Sequence, residues 1–165
     1  MRSFKIFSCV TAGVLLALSG GAQAATTGTD FVVTANVIAA CEVEATDMDF
    51  GDLDLTADDT ATSIISVTCT NDHDYQITLD EGDAPGSSVP NRTLSNGTDS
   101  LAYNLYTDVN HTAIWGDTTS DDVEGVGTGL ATAVDHTVYG LLPSAGNEAA
   151  PTGLYSSTIT VTLTY

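Results

Sequence analysis

The stretch Thr158-Ile159-Thr160-Val161-Thr162-Leu163-Thr164-Tyr165 alternates without a break. Ile159, Val161, Leu163 and Tyr165 share one face, and four threonines share the other. Strict period-two alternation of β-branched and aromatic side chains predicts a half-buried strand. No turn and no partner strand follow Tyr165, so its partners come from earlier in the chain or from outside it. It also lacks the proline, lysine or inward charge that commonly blunts an exposed sheet edge.

Working outward, residues 31–37 (FVVTANV) alternate in the same way, with Phe31, Val33, Ala35 and Val37 on one face. The link Ile38-Ala39-Ala40 lacks the Gly, Asn or Asp of a tight hairpin, which disfavours folding 31–37 back on the strand that begins at Cys41. Further strands are expected at 63–70, with Ile65, Val67 and Cys69 together, and at 75–79, 101–106 and 137–142. Residues 56–62 read as an acidic turn, and 84–100, 117–129 and 144–153 as polar loops. No helical period is found beyond the N-terminus. Roughly seven short strands separated by loops predict an all-β sandwich of one domain, with no internal repeat or interdomain linker.

At the start of the chain, Arg2 and Lys5 precede an apolar run from residue 6 to 18, followed by Ala22-Gln23-Ala24. This is the layout of a secretory signal peptide over residues 1–24, cut before Ala25. The run is too short for a comfortable membrane span, so no membrane insertion is expected. The remaining chain keeps one base, Arg92, against 22 acids, hence a net charge of −21 and no lysine. Nucleic acid and anionic membrane surfaces are excluded as partners, because both require positive charge. The acids read as a solvated coat suited to a salty medium. Cys9 lies in the leader, and the two cysteines that remain, Cys41 and Cys69, are expected to pair in an exported chain; two buried free thiols are the alternative.

Little in the chain suggests chemistry. His73, His111 and His136 sit at unrelated spacings, no nucleophile motif surrounds a serine, and no zinc pattern occurs. Neither catalysis nor a cofactor is expected. Asp117, Asp121, Asp122 and Glu124 invite a calcium reading, but their spacing misses the calcium-loop pattern. Asn91, Asn96 and Asn110 each open an Asn-x-Thr tripeptide, a weak signal in a chain rich in both residues. Trp115-Gly116 reads as core plus turn.

In order, the segments FVVTANVIAACEV, MDFG, SVTCT before YQITL, LAYNLYTD before IWG, VYGLLP, and PTGLYSSTITVTLTY resemble the spore coat protein U domain, the subunit type of archaic chaperone–usher pili. The resemblance runs nearly from residue 25 to the end. It implies an immunoglobulin-like β-sandwich that lacks its last strand and is completed by donor-strand exchange. A periplasmic chaperone would lend that strand until an outer-membrane usher replaces it with the N-terminal segment of the next subunit. By position, Phe31, Val33, Ala35 and Val37 would be the donor face within residues 25–40. Ile159, Val161, Leu163 and Tyr165 would line the acceptor groove of the domain at 41–165, and Cys41 and Cys69 match the family's cysteine pair. The implied product is a cell-surface pilus subunit, of the shaft rather than the tip, serving adhesion or biofilm formation. Two other readings stay open: a self-contained secreted sandwich binding glycan or calcium, and a cell-surface or spore-coat component without a pilus.

Overall fold

The computed structural model describes residues 23–165. The leader expected at 1–24 falls, apart from its last two residues, outside them. The chain divides between Ala35 and Asn36 into two compact units. In the first, residues 23–35 form neither helix nor strand, and Phe31 and Val33 are 84% and 79% exposed. The alternation at 31–37 therefore engages no other strand among the described residues.

The second unit is all strand and loop. Its elements are β1 (Cys41–Ala45), β2 (Asp59–Cys69), β3 (Asp74–Leu79), β4 (Arg92–Ser95), β5 (Ser100–Tyr106), β6 (Val123–Val126), β7 (Val134–Leu142) and β8 (Val161–Thr164). They form two antiparallel sheets, β1-β2-β7-β5-β4 and β6-β3-β8. The alternation read from sequence becomes the core. Ile65, Val67 and Cys69 of β2, Leu101, Tyr103 and Leu105 of β5, and Val138 and Leu142 of β7 face Tyr75, Ile77 and Leu79 of β3. Trp115 is 1% exposed, and its indole N–H donates to Ile77 O at 2.9 Å, so it is core as expected. A hydrogen bond of 2.8 Å between Tyr75 Oη and His136 Nε2 joins β3 of one sheet to β7 of the other.

Besides β7, which begins at Val134, three residues before the expected 137, four elements differ from the sequence expectation. β2 begins at Asp59, inside the acidic turn expected at 56–62, because Asp59 to Ser63 pair in register with Val138 to Leu142 of β7. β4 lies inside the loop expected at 84–100, where Arg92 to Ser95 pair with Ser100 to Tyr103. β6 lies inside the loop expected at 117–129; its Gly125 leaves room for the Tyr75 ring, which a Cβ there would strike. In each case pairing with a neighbouring strand overrides a local composition that favours turns. β8 is the fourth difference: it begins at Val161, three residues after the alternation does.

Cys41 and Cys69 form a disulfide and sit directly opposite each other in the β1–β2 register. With a sequence separation of 28, the bond removes about 3–4 kcal/mol of loop entropy from the unfolded chain. Residues 25–165 contain a single site for trypsin, Arg92, and it is 0% exposed. Cleavage after Arg92 therefore reports opening of the fold. The double variant Cys41→Ala/Cys69→Ala is expected to be cut on the order of a hundredfold faster than the parent under native conditions. Equal cutting rates, measured by mass spectrometry of the two fragments, would show that the disulfide does not hold the sandwich together.

Candidate functional site: an open edge beside an apolar groove

β8 is the outer strand of the smaller sheet. It pairs with β3 through Gln76↔Thr164 to Leu79↔Val161, and its other edge has no partner among the described residues. β1, the outer strand of the larger sheet, approaches β8 from across the sandwich. Beside this approach the sheets part over a groove of about 1450 Å³. Its floor is core: Ile65, Leu79, Leu101, Tyr103, Leu105 and Val138. One wall is the β1–β2 connection, with Met48, Phe50, Leu53 and Leu55, and the other is residues 153–159 with Val161. Met48 and Phe50 reach the floor because β7 offers Gly140 beneath them; a Cβ there would collide with Met48 Sδ and the Phe50 ring.

The residues expected at this site fall in two places. Ile159 and Val161 line the groove. Leu163 is half-buried against the core, and Tyr165, 57% exposed, borders a smaller hollow of about 540 Å³ with Asp74, Gln76 and Glu124. The Tyr165 ring stands edge-on to His73 at 6.1 Å. Val37 is 83% exposed, like Phe31 and Val33.

Residues 157–160 continue the closing stretch without a backbone ladder of the usual kind. Asp80 N–H donates to Thr160 O at 3.2 Å, as an antiparallel pair would. The reciprocal bond is different: Thr160 N–H donates to the Asp80 carboxylate, Oδ1, at 2.9 Å. The Asp80 carbonyl is occupied by Arg92 Nε–H at 2.8 Å. One step further along, Asp83 N–H donates to Thr158 O at 3.2 Å and Thr158 N–H donates to Asp83 Oδ1 at 2.7 Å. Two aspartates thus stand in for the missing ladder. Gly82 lies between them at φ +82°, and an added Cβ would press on Ser157 and on Ile159 Cδ1.

Arg92 anchors the near end of this arrangement. Its NH2 group donates to Leu79 O and Trp115 O, both at 2.9 Å, and NH1 donates to Asn104 Oδ1 at 2.8 Å. Burial pushes the guanidinium pKa down, with Tyr103 and Asp80 opposing. Main-chain carbonyls and the Asn104 oxygen take four of its five N–H groups, and each of its three nitrogens has an acceptor, as a buried charge requires. Sequence reasoning missed Arg92 and the Asp80–Asp83 pair. The available signal was a lone arginine in a lysine-free, acid-rich segment, since a base that makes no surface contribution is retained for an interior one.

The acidic cluster has a different use. Asp121 Oδ1 accepts the N–H and Oγ1–H of Thr118, and Glu124 accepts from Gln76 Nε2. Among the described residues no group of three or more His, Cys, Asp or Glu is placed to hold a metal ion.

The two stand-in carboxylates should titrate low. Burial raises Asp80, but hydrogen bonds from Thr160 and Gly82 and the nearby Arg92 charge outweigh it, and the result lies below the ordinary 3.8. The Thr158 N–H holds Asp83 below 3.8 as well. Folding favours both ionised forms, so their contribution is present above pH 3.8 and is lost as pH falls through the lowered values. The amide proton shifts of Thr158 and Thr160 should follow these titrations, with midpoints below 3.8. Midpoints at or above that value would show that the carboxylates do not accept these bonds.

Known proteins place the architecture. The crystal structure of the CsuC–CsuE chaperone–tip adhesion subunit pre-assembly complex, from archaic chaperone–usher Csu pili of Acinetobacter baumannii, shares the fold over 78% of this chain, with a TM-score of 0.58 and 20% identity. This chain spans 40% of the matched one. Protein U of Myxococcus xanthus is 34% identical over 175 aligned positions, which cover 96% of each chain. The Spore Coat Protein U domain matches residues 9–162, nearly the whole sequence, and the chain belongs to that family.

Proposed function

We propose that this chain is a structural subunit of an extracellular pilus of the chaperone–usher type, assembled by strand addition between copies. The observation that carries the reading is one pairing of features within one chain. Among the described residues the outer edge of β8 has no partner and lies beside a groove floored by core side chains, and the alternating apolar segment 31–37 forms no strand. In this reading Phe31, Val33, Ala35 and Val37 of one copy enter the groove of the next, along the edge that contains Ile159, Val161 and Leu163, with Tyr165 at its end. Strand addition supplies backbone hydrogen bonds, while alternate side chains fill pockets. Each of Phe31, Val33 and Val37 contributes about 1.5–3 kcal/mol on full burial, and Ala35 less. Repeating the contact head to tail, without closure, builds an open filament.

The partners are identical or related subunits, a periplasmic chaperone that covers the groove before assembly, and an outer-membrane usher. Export through the leader at 1–24 brings the chain to the periplasm and then to the cell surface, where the fibre serves adhesion or biofilm formation. The chain is not an enzyme in this reading; no catalytic constellation accompanies the groove. The family's description, a spore coat protein domain, favours a second product of the same strand addition, a coat layer in place of a free fibre. Electron microscopy of the producing cells separates the two.

Phe31→Asp or Val33→Asp would place a carboxylate in the neighbour's apolar groove, which is costly without a partner. These variants should fold with the chaperone, because their own groove is unchanged, yet fail to assemble from purified complexes. Normal fibres from either variant would show that 31–37 is not the donor. A second expectation concerns charge. At −21 per subunit, neighbours repel, and the Debye length falls from about 10 Å at 0.1 M salt to about 3 Å at 1 M. Fibre melting temperature should therefore rise with sodium chloride; a flat profile would remove the acids from the energetics of assembly.

A further inference from the structure

We propose that Asp80 and Asp83 are positioning residues that set the length of the acceptor edge, extending it from β8 back to Ser157. The inference rests on the strand-addition reading above. β8 by itself offers Val161–Thr164, which is shorter than the donor segment 31–37. Extended back to Ser157 the edge runs over 157–164, long enough to pair with all seven residues of that segment. An edge accepts a strand only where its backbone is extended and its outward N–H and C=O groups stand in line.

In residues 157–160 that line depends on the two carboxylates. An antiparallel strand turns the backbone groups of alternate residues to opposite sides. Thr158 and Thr160 spend both of theirs on the β3 side: the N–H groups on Asp83 and Asp80 Oδ1, and the carbonyls on the Asp83 and Asp80 N–H groups. Ser157 and Ile159 therefore present theirs to the open side, in line with Val161 and Leu163. At position 80 the main-chain carbonyl accepts from Arg92 Nε–H, and the Thr160 N–H goes to the carboxylate. Asp80 Oδ1 also accepts the Gly82 N–H at 3.0 Å, so it fixes its own turn as well as the closing segment, and Ser157 Oγ–H donates to Asp83 Oδ1 at 3.3 Å, a second bond from that carboxylate to the closing segment. Ile159 lines the groove from this segment, so the same two bonds set one apolar wall of the site.

The test uses the full chain and three fluorescent peptides: residues 29–39 of this sequence, and the same peptide shortened by three residues from either end. Wild-type protein should bind the full peptide at least about tenfold more tightly than the better of the shortened ones, a difference worth about 1.4 kcal/mol. Asp80→Ala/Asp83→Ala should lose that advantage, holding all three peptides within about threefold, since its edge is reduced to β8. Asp80→Asn/Asp83→Asn keeps the accepting oxygens and should restore it. General destabilisation would weaken all peptides together and would leave the length preference intact. An Ala double variant that keeps the full-length advantage, or an Asn variant that fails to regain it, overturns the inference. A wild type that binds no peptide overturns the strand-addition reading itself, before any variant is compared. Hydrogen exchange gives an independent measure: the Thr158 and Thr160 amides should be protected in the wild type and lose protection in the Ala variant. Unprotected amides in the wild type would overturn the inference whatever the peptides do.

Discussion

A positive charge buried without a carboxylate in contact sets the terms for the half of the sandwich that holds the groove. Arg92 is 0% exposed, and its donors are taken by the carbonyls of Leu79, Asp80 and Trp115 and by the Asn104 amide oxygen. A buried guanidinium persists only when such acceptors replace water, and each is fixed in turn by the need to remain there. Four separate parts of the chain are thereby held at one point: the end of β3, the start of β4, the middle of β5 and the turn after Trp115. Removing the guanidinium would leave three carbonyls and an amide oxygen to be satisfied elsewhere, in a region otherwise packed with apolar side chains. The consequence for the groove is indirect. Arg92 Nε–H bonds the Asp80 carbonyl while the Asp80 carboxylate takes the Thr160 N–H, so the wall that contains Ile159 depends on carboxylates as well as on a sheet.

The acids consequently do more than coat the surface. From residue 25 on, the sequence offers 22 acids against one base, which reads as solvation and self-repulsion. Several of them are local acceptors for backbone N–H groups. Asp49 accepts from Gly51, Asp54 from Thr56, Asp58 from Ser144, and Asp108 from Asn110, Thr112 and Ala113. Side chains of this length reproduce a backbone turn, and loops that cannot use a strand ladder gain acceptors from them. An aspartate-rich composition therefore allows long connections in a small sandwich without leaving their N–H groups unpaired, and the accumulated charge is a by-product that screening must offset.

What the sequence disclosed, and what it withheld, divides along the same physical line. Period-two alternation located β2, β3, β5, β7 and the closing stretch, because burial of one face leaves a direct imprint on residue order. The cysteine pair was legible because residues 25–165 contain only two cysteines. β4 and β6 left no such imprint. Arg92 to Ser95 carries a buried arginine where an apolar residue would have marked a strand, and Val123 to Val126 contains a glycine that exists to admit Tyr75. Both are defined by partners distant in sequence. The division of the closing stretch at Val161 was equally hidden. The alternation runs unbroken through residue 160, but the bonding changes there from a backbone ladder to carboxylates, and no periodicity records which atom of Asp80 accepts a hydrogen bond.

An open edge, a groove floored by core side chains and an unpaired apolar segment in one molecule create a hazard as well as an opportunity. An exposed edge pairs with any available strand, and soluble proteins ordinarily protect such edges with charge, proline or short length. This domain applies the remedy of short length only in part, since β8 is brief but the bonds from Asp80 and Asp83 lengthen the row of outward groups. The walls of the groove set apolar side chains such as Phe50, Leu53 and Ile159 beside Asp47, Asp49, Asp52 and Asp54, and Leu154 on its rim is 89% exposed. The high negative charge then provides a second protection: two copies approaching at random repel, whereas a segment that brings little charge of its own can enter. Residues 31–40 contain no charged side chain at all. In the strand-addition reading, the neutral segment within a strongly acidic chain is the part best suited to a neighbour's groove, and the charge that discourages other contacts would make that one selective.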